Sequence, residues 1–323
     1  MTYSIEMDDF YECLNATWKY GYEKEYFWVS GVTLLVIGIM GFLGNILSLL
    51  VLCRAEFRGV VFYNIMIELI CFDTIYILSN SVISAYDSMV CQNKYDMSVQ
   101  ALLQPISYIG LLGSICSTIA VSVERYFCIC SPYNNMNNRK TWIYIVSVIA
   151  IAITYNIPRF IEHQFSILNG TLVEEWSPWV TETYQKRYWA WADQITFSLI
   201  PLGLLLLFNG AIIKRIYVSR QQLNIVTAKN QAQRASTTKI LLFLVSVFLI
   251  CHIPDVAYWM LYHGYNLYNR EENENYERKW HWISPIDSLA LIVNSSVNIV
   301  VYCAMGTKFR DVFIKMIRCE KGY

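Results

Sequence analysis

The chain has 323 residues, of which 55% are hydrophobic and 15% charged, and its 25 basic residues are balanced by 25 acidic ones. Soluble globular proteins carry about a quarter charged residues, so the composition argues against a soluble fold and for a membrane protein. The even charge leaves no basic surplus for binding nucleic acid.

Residues 1–28 are acidic and aromatic and lack the basic and apolar regions of a secretory signal, so the first span is expected to direct insertion. Apolar stretches follow at 29–53, 60–86, 100–130, 141–160, 190–217, 238–263 and 282–304, and about 20 residues suffice to cross a bilayer. The expected fold is an all-α membrane protein: an outer segment 1–28, a seven-transmembrane helix bundle over 29–304, and an amphipathic eighth helix with a short inner tail over 305–323. With the N-terminus outside, 16 Lys and Arg residues fall inside and 9 outside, as the positive-inside rule asks. The same orientation puts 19 acidic residues on or near the outer face and 6 on or near the inner. Such an outer mouth would draw in a cationic ligand, although charge runs such as Glu271, Glu272 and Glu274 also serve simply as solvated loop surface. Sequons at Asn15 and Asn169 lie outside and are expected to be glycosylated; a third, at Asn294, lies within span seven. Only Cys13 and Cys91 fall in the oxidising compartment, where they are a candidate disulfide.

In span two, Asp73 is a deep carboxylate that needs partners. Asn45, Ser114, Asn294, Ser295 and Asn298 stand at similar depth, and this set suits either a small hard cation such as Na⁺ or a polar cluster that ties helices together. Span three ends in Glu124-Arg125-Tyr126 at the inner edge. Arg125 either pairs with Glu124 or offers its five donors to a partner's carbonyls, unless it merely snorkels to the interface. Pro105, Pro158, Pro201 and Pro254 lie in or at the ends of spans three to six, and each removes a backbone donor and tends to kink its helix. Over 307–319, Phe309, Val312, Phe313, Met316 and Ile317 share one helical face and Lys308, Arg310, Lys315 and Arg318 lie largely on the other. This is the pattern of a helix lying on the inner membrane surface or packed on other protein, with Cys319 as a palmitoylation candidate.

"GN" at 44–45, "LxxxD" ending at Asp73, Glu-Arg-Tyr, Pro201, "CHIP" at 251–254 and "NIVVY" at 298–302, in that order before an eighth helix, resemble the landmarks of rhodopsin-like (class A) G-protein-coupled receptors. Longer strings, "LLGSICSTIAVSVERYFCICSPY", "YNIPRFIEH", "FLICHIPD", "NSSVNIVVYC" and "KFRDVF", are similar to invertebrate FMRFamide and related neuropeptide receptors. The resemblance implies a multi-pass plasma-membrane receptor and not an enzyme. It also implies a short, basic, amidated peptide ligand, a heterotrimeric G protein and arrestin as inner partners, membrane lipids around it, and Na⁺ at Asp73 as an allosteric ion. Ser107 and Ile292 stand where amine receptors carry aspartate and opsins carry lysine, so neither of those ligands is supported.

Carried onto this chain, the resemblance places the ligand's guanidinium at Asp255, the preferred seat, or at Asp193, with Gln104, Tyr108, Trp191, His252, Tyr258 and Trp259 around it. Aromatics of the interfacial belt would look the same in sequence. Glu124, Arg125, Tyr126, Asn209 and Tyr302 would form the G-protein-facing switch. Three departures carry expectations. Gln100 replaces the usual cysteine atop span three, so either Cys13–Cys91 takes over the tie or packing alone holds the second outer loop. Ile299 replaces a proline, which should leave span seven less bent. Arg234 and Lys239 replace an acid at the foot of span six, leaving Glu124 alone to restrain Arg125, so some ligand-free signalling is expected. A transporter would show an inverted repeat and more than the one deep carboxylate of span two; an intramembrane enzyme would need a metal or nucleophile set, and His163, His252, His263 and His281 form no HExxH.

Overall fold

The computed structural model describes residues 27–89, 98–130, 141–168, 171–221, 228–268 and 283–318. Asn15, Asn169, Cys13, Cys91 and Cys319, with their expected modifications, lie outside these residues. Among the described residues, Trp28–Leu52, Val61–Tyr86, Val99–Cys130, Thr141–Ile161, Glu182–Val218 and Thr237–Leu261 are six apolar spans. A bent pair, Pro285–Ser296 and Asn298–Met305, makes the seventh. The protein is a multi-pass membrane protein.

Span one shows why this sequence makes a bundle in lipid. Val36, Ile39, Met40, Leu43, Leu47 and Leu50 form an exposed stripe at helical spacing, while Gly38, Gly41, Gly44, Asn45 and Ser48 are buried on the other side. Apolar side chains outside and small or polar ones inside are the inverse of a water-soluble helix, because lipid rewards close packing and internal hydrogen bonds rather than apolar burial.

Span three packs against spans two, four and five. Its closest approach to another backbone is at Gly110, where an added Cβ would stand 2.6 Å from the Tyr76 backbone nitrogen of span two. Backbone cannot step aside as a side chain can, so any side chain here must push spans two and three apart.

Span seven bends by 43° between its two halves although Ile299 stands where the proline would. Side-chain amides account for the bend. The Ser295 carbonyl accepts from Asn45 Nδ2 at 3.3 Å and from Asn298 Nδ2 at 3.4 Å, so a helix opened at that point leaves no orphaned acceptor. In span five the turns before Pro201 are wound wide, over Gln185–Ala192 and Gln194–Leu199.

The second outer loop carries an unexpected antiparallel hairpin, β1 (His163–Leu168) and β2 (Thr171–Trp176), pairing His163 with Trp176 and Leu168 with Thr171. Asn169-Gly170 stands between the strands in sequence, a hairpin signal that overlaps the sequon. The closing helix Thr307–Ile317 buries Phe309 and packs Val312, Phe313 and Met316 on the core, whereas Ile317 is exposed rather than packed with them. Lys308 donates to the Glu56 carbonyl and lies 4.9 Å over the Phe57 ring.

Replacing Gly110 by Ala should destabilise the bundle by about 1–3 kcal/mol, the usual cost of overpacking. The expected outcome is a lower melting temperature in detergent and less protein at the cell surface; an unchanged melting temperature would show that spans two and three can separate without cost.

Candidate functional site

The outer halves of the spans enclose a cavity of about 480 Å³. Gln104, Tyr108, Asp193, His252, Asp255, Tyr258 and Trp259 line it as expected, but Trp191 stands outside, 43% exposed and edge-on to Trp259. The two candidate acids differ sharply. Asp193 forms an ion pair with Arg159, which is 5% exposed, and accepts the Tyr155 hydroxyl at 3.0 Å. The guanidinium lies 3.6 Å over the Tyr108 ring. Asp193 is therefore matched already and offers no open seat for a ligand cation. Asp255 accepts from Ser198 Oγ, and the buried Gln194 amide lies beside it without completing a hydrogen bond.

Two charged residues here are not singled out by the sequence pattern. Arg159 follows span four in "NIPRF", and Asp287 sits in "SPIDSL" of span seven with one carboxylate oxygen buried and no protein hydrogen-bond partner. The available signal is the general cost of charge at membrane depth. Glu68 in span two also buries both carboxyl oxygens unpartnered, so Asp73 is not the only deep acid there. Among the described residues, no Lys or Arg lines the cavity. At its wall, His252 is 1% exposed, lies 4.0 Å from the Phe248 ring, and leaves both nitrogens without a hydrogen-bond partner.

The second outer loop is held by more than apolar packing. Buried Glu162 accepts the Tyr184 hydroxyl at 2.7 Å and the Trp189 indole N–H at 3.0 Å, and its carbonyl accepts from the Ser177 amide at 2.8 Å. These bonds tie the foot of the hairpin to span five.

Below the cavity, Asp73 accepts Ser114 Oγ at 2.6 Å and Asn298 Nδ2 at 2.6 Å. The Ser295 hydroxyl lies by the same carboxylate without good hydrogen-bond geometry, and Asn45 Oδ1 is buried unpartnered. A carboxylate with the Ser114 and Ser295 hydroxyl oxygens beside it fits a hard cation. Asn294 makes no hydrogen bond to this cluster among the described residues.

At the inner end Arg125 is buried and triply held. Its Nε donates to Glu124 Oε2 at 2.6 Å, its Nη1 donates to Thr237 Oγ1 of span six at 3.0 Å, and its guanidinium lies 4.2 Å over the Phe62 ring. Glu124 is thus not the sole restraint; a neutral hydroxyl on span six, 112 residues away, shares it. Tyr126 packs 5.5 Å from Phe208, and Asn209 donates to Ser122 Oγ at 3.2 Å. Tyr302 is wholly buried, its hydroxyl unpartnered and its ring 5.4 Å from Phe309. Glu124, Arg125, Asn209 and Tyr302 are thus buried, and Tyr126 is half-buried.

The family model for the 7 transmembrane receptor (rhodopsin family) matches residues 44–302. The chain belongs to this rhodopsin family of receptors. It is 25% identical to the FMRFamide receptor of Drosophila melanogaster over 89% of its own length and 53% of that protein's. It is 24% identical to an FMRFamide peptide receptor of Caenorhabditis elegans, over 88% of its length and 68% of that one's. With the human thyrotropin-releasing hormone receptor it shares 22% identity over 92% of its length and 80% of the relative's. The chain spans about half the length of the Drosophila relative.

The Arg125–Thr237 bond joins spans three and six at their inner ends, so any separation of those two ends must break it. A hydrogen bond to a charged group contributes about 1.5–3 kcal/mol. Thr237→Val keeps the shape and removes the acceptor, so ligand-free second-messenger production should rise several-fold at matched surface expression. No rise would mean that Thr237 restrains nothing.

Proposed function

We propose that this protein is a plasma-membrane receptor, N-terminus outside, for a short amidated peptide of the FMRFamide type, and that it activates a heterotrimeric G protein. The observation that carries this reading is the electrostatics of the outer cavity. Asp255 lies on its wall with no Lys or Arg among the described residues to answer it, because Arg159 is committed to Asp193. A guanidinium supplies planar donors that match a carboxylate. A free C-terminal carboxylate, by contrast, would meet acids and no cation, whereas a terminal amide is neutral. The unpartnered imidazole of His252 offers one donor and one acceptor, the complement of a primary carboxamide. The relatives named for FMRFamide support the same chemistry.

Peptide binding shifts the population toward a bundle whose inner end of span six stands outward. Asp255 and His252 sit beside Pro254, which leaves the Ile250 carbonyl without its helical donor, so the ligand contacts span six where the helix bends most easily. Releasing Thr237 from Arg125 then presents Arg125, Asn209 and Tyr302 to the G-protein helix, and the same face serves arrestin. Na⁺ at Asp73 favours the closed state.

Calcium release in cells carrying a promiscuous G protein, screened against amidated peptides, tests the ligand class. Asp255→Asn should lower the potency of an active Arg-Phe-amide peptide by about tenfold or more, the scale of a close charge pair, with surface expression unchanged. Equal potency would move the guanidinium elsewhere. Sodium in place of a bulky organic cation should reduce agonist affinity in membranes, and Asp73→Asn should abolish that difference; a sodium effect that survives the substitution places the ion at another site.

A further inference from the structure

The outer cavity holds more fixed negative charge than one ligand cation answers. Asp193 is neutralised by Arg159, but Asp255 of span six and Asp287 of span seven both face the cavity, and no Lys or Arg among the described residues lines it. Asp255 at least receives the Ser198 hydroxyl, whereas Asp287 has a buried oxygen with no protein partner. The two carboxylates line the same cavity within electrostatic reach of one another. His252 is an independent sign that the cavity is built for a ligand. It is 1% exposed, lines the same wall, and has both nitrogens unpartnered.

We propose that Asp287 is a second cation-binding residue and that the agonist is a dication, with its guanidinium at Asp255 and a second positive group, the terminal ammonium, at Asp287. This rests on the peptide-receptor reading. A ligand with a single charge would seal one carboxylate from water unanswered, which is costly because the group can recover neither hydration nor a partner. Two cations answer both and join span six, which carries Thr237, to span seven, which carries Tyr302.

The test uses the whole receptor in cells and three probes: Phe-Met-Arg-Phe-amide, its N-acetylated form, and the form with citrulline replacing arginine. Each is applied to the wild type, Asp287→Asn and Asp255→Asn, with surface labelling. Acetylation should lower potency on the wild type by about tenfold or more and have under about a third of that effect on Asp287→Asn. The citrulline penalty should shrink on Asp255→Asn alone. Acetylation without cost on the wild type, or with equal cost on Asp287→Asn, overturns the proposal. A citrulline penalty that shrinks in both variants means one guanidinium bridges the two acids, which also overturns it. Should Asp287→Asn fail to reach the surface, the acetylation result on the wild type and on Asp287→Glu decides. If no Arg-Phe-amide peptide activates the receptor, the peptide reading falls and this proposal with it, an outcome distinct from activation that ignores Asp287.

Discussion

A polar atom within a bilayer has no water to turn to, and the architecture of this receptor follows from that constraint. Each charged or amide-bearing side chain in the spans must find a partner inside the bundle, and the partners it finds fix the helices against one another. Asp73 joins span two to span three through Ser114 and to span seven through Asn298. Arg159 joins the end of span four to span five through Asp193, and Arg125 joins span three to span six through Thr237. The same rule gives the exceptions their meaning. His252, Asp287 and Asn45 have buried polar atoms that no protein group satisfies, and they border the outer cavity or the polar core.

These bonds form a line from the outer face to the inner one. Asp255 and His252 sit on span six around Pro254, Asn298 and Tyr302 sit on span seven on either side of buried apolar packing, and Thr237 closes the inner foot of span six over Arg125. Span six, Thr237 to Leu261, is made of two helices that meet at His252, Ala228–Cys251 and Ile253–Tyr268, so a swing of the inner helix about that junction would move Thr237. Span seven, by contrast, is already bent at 43°, and its bend is held by Asn45 and Asn298, the residues that also frame Asp73. The polar core therefore ties spans one, two and three to span seven at its bend.

Most of the fold was legible in the sequence, because a bilayer imposes a long apolar run that no loop imitates. Asp73, Ser114 and Asn298 were legible as a set because a deep carboxylate demands oxygen and amide partners at one depth. Other features were hidden for physical reasons. Thr237 is neutral and carries no charge complementarity to Arg125, so nothing in the string marks it as the partner. The bend in span seven arises from side-chain amides capturing the Ser295 carbonyl, a role that proline's absence conceals. Asp287 reads as a loop-edge acid until the fold sets it across from Asp255, and Asp193 reads as an open anchor until Arg159 is seen to occupy it.

The balance between cavity and switch can be weighed. Moving an equilibrium from about 1:99 to 99:1 takes roughly 5.5 kcal/mol of differential binding. The described hydrogen bond from Arg125 to span six is a single charge-assisted bond to the Thr237 hydroxyl, contributing about 1.5–3 kcal/mol beside the apolar packing of Ile240, Leu241, Leu244 and Phe248 in the core, while Glu124 pairs with Arg125 on their own helix. A full ion pair between spans three and six would add to that load. Close charge pairs at interfaces couple by about 1.5–7 kcal/mol, so a small ligand that engages the acids of spans six and seven has enough energy to tip this receptor, provided those contacts tighten in the open state.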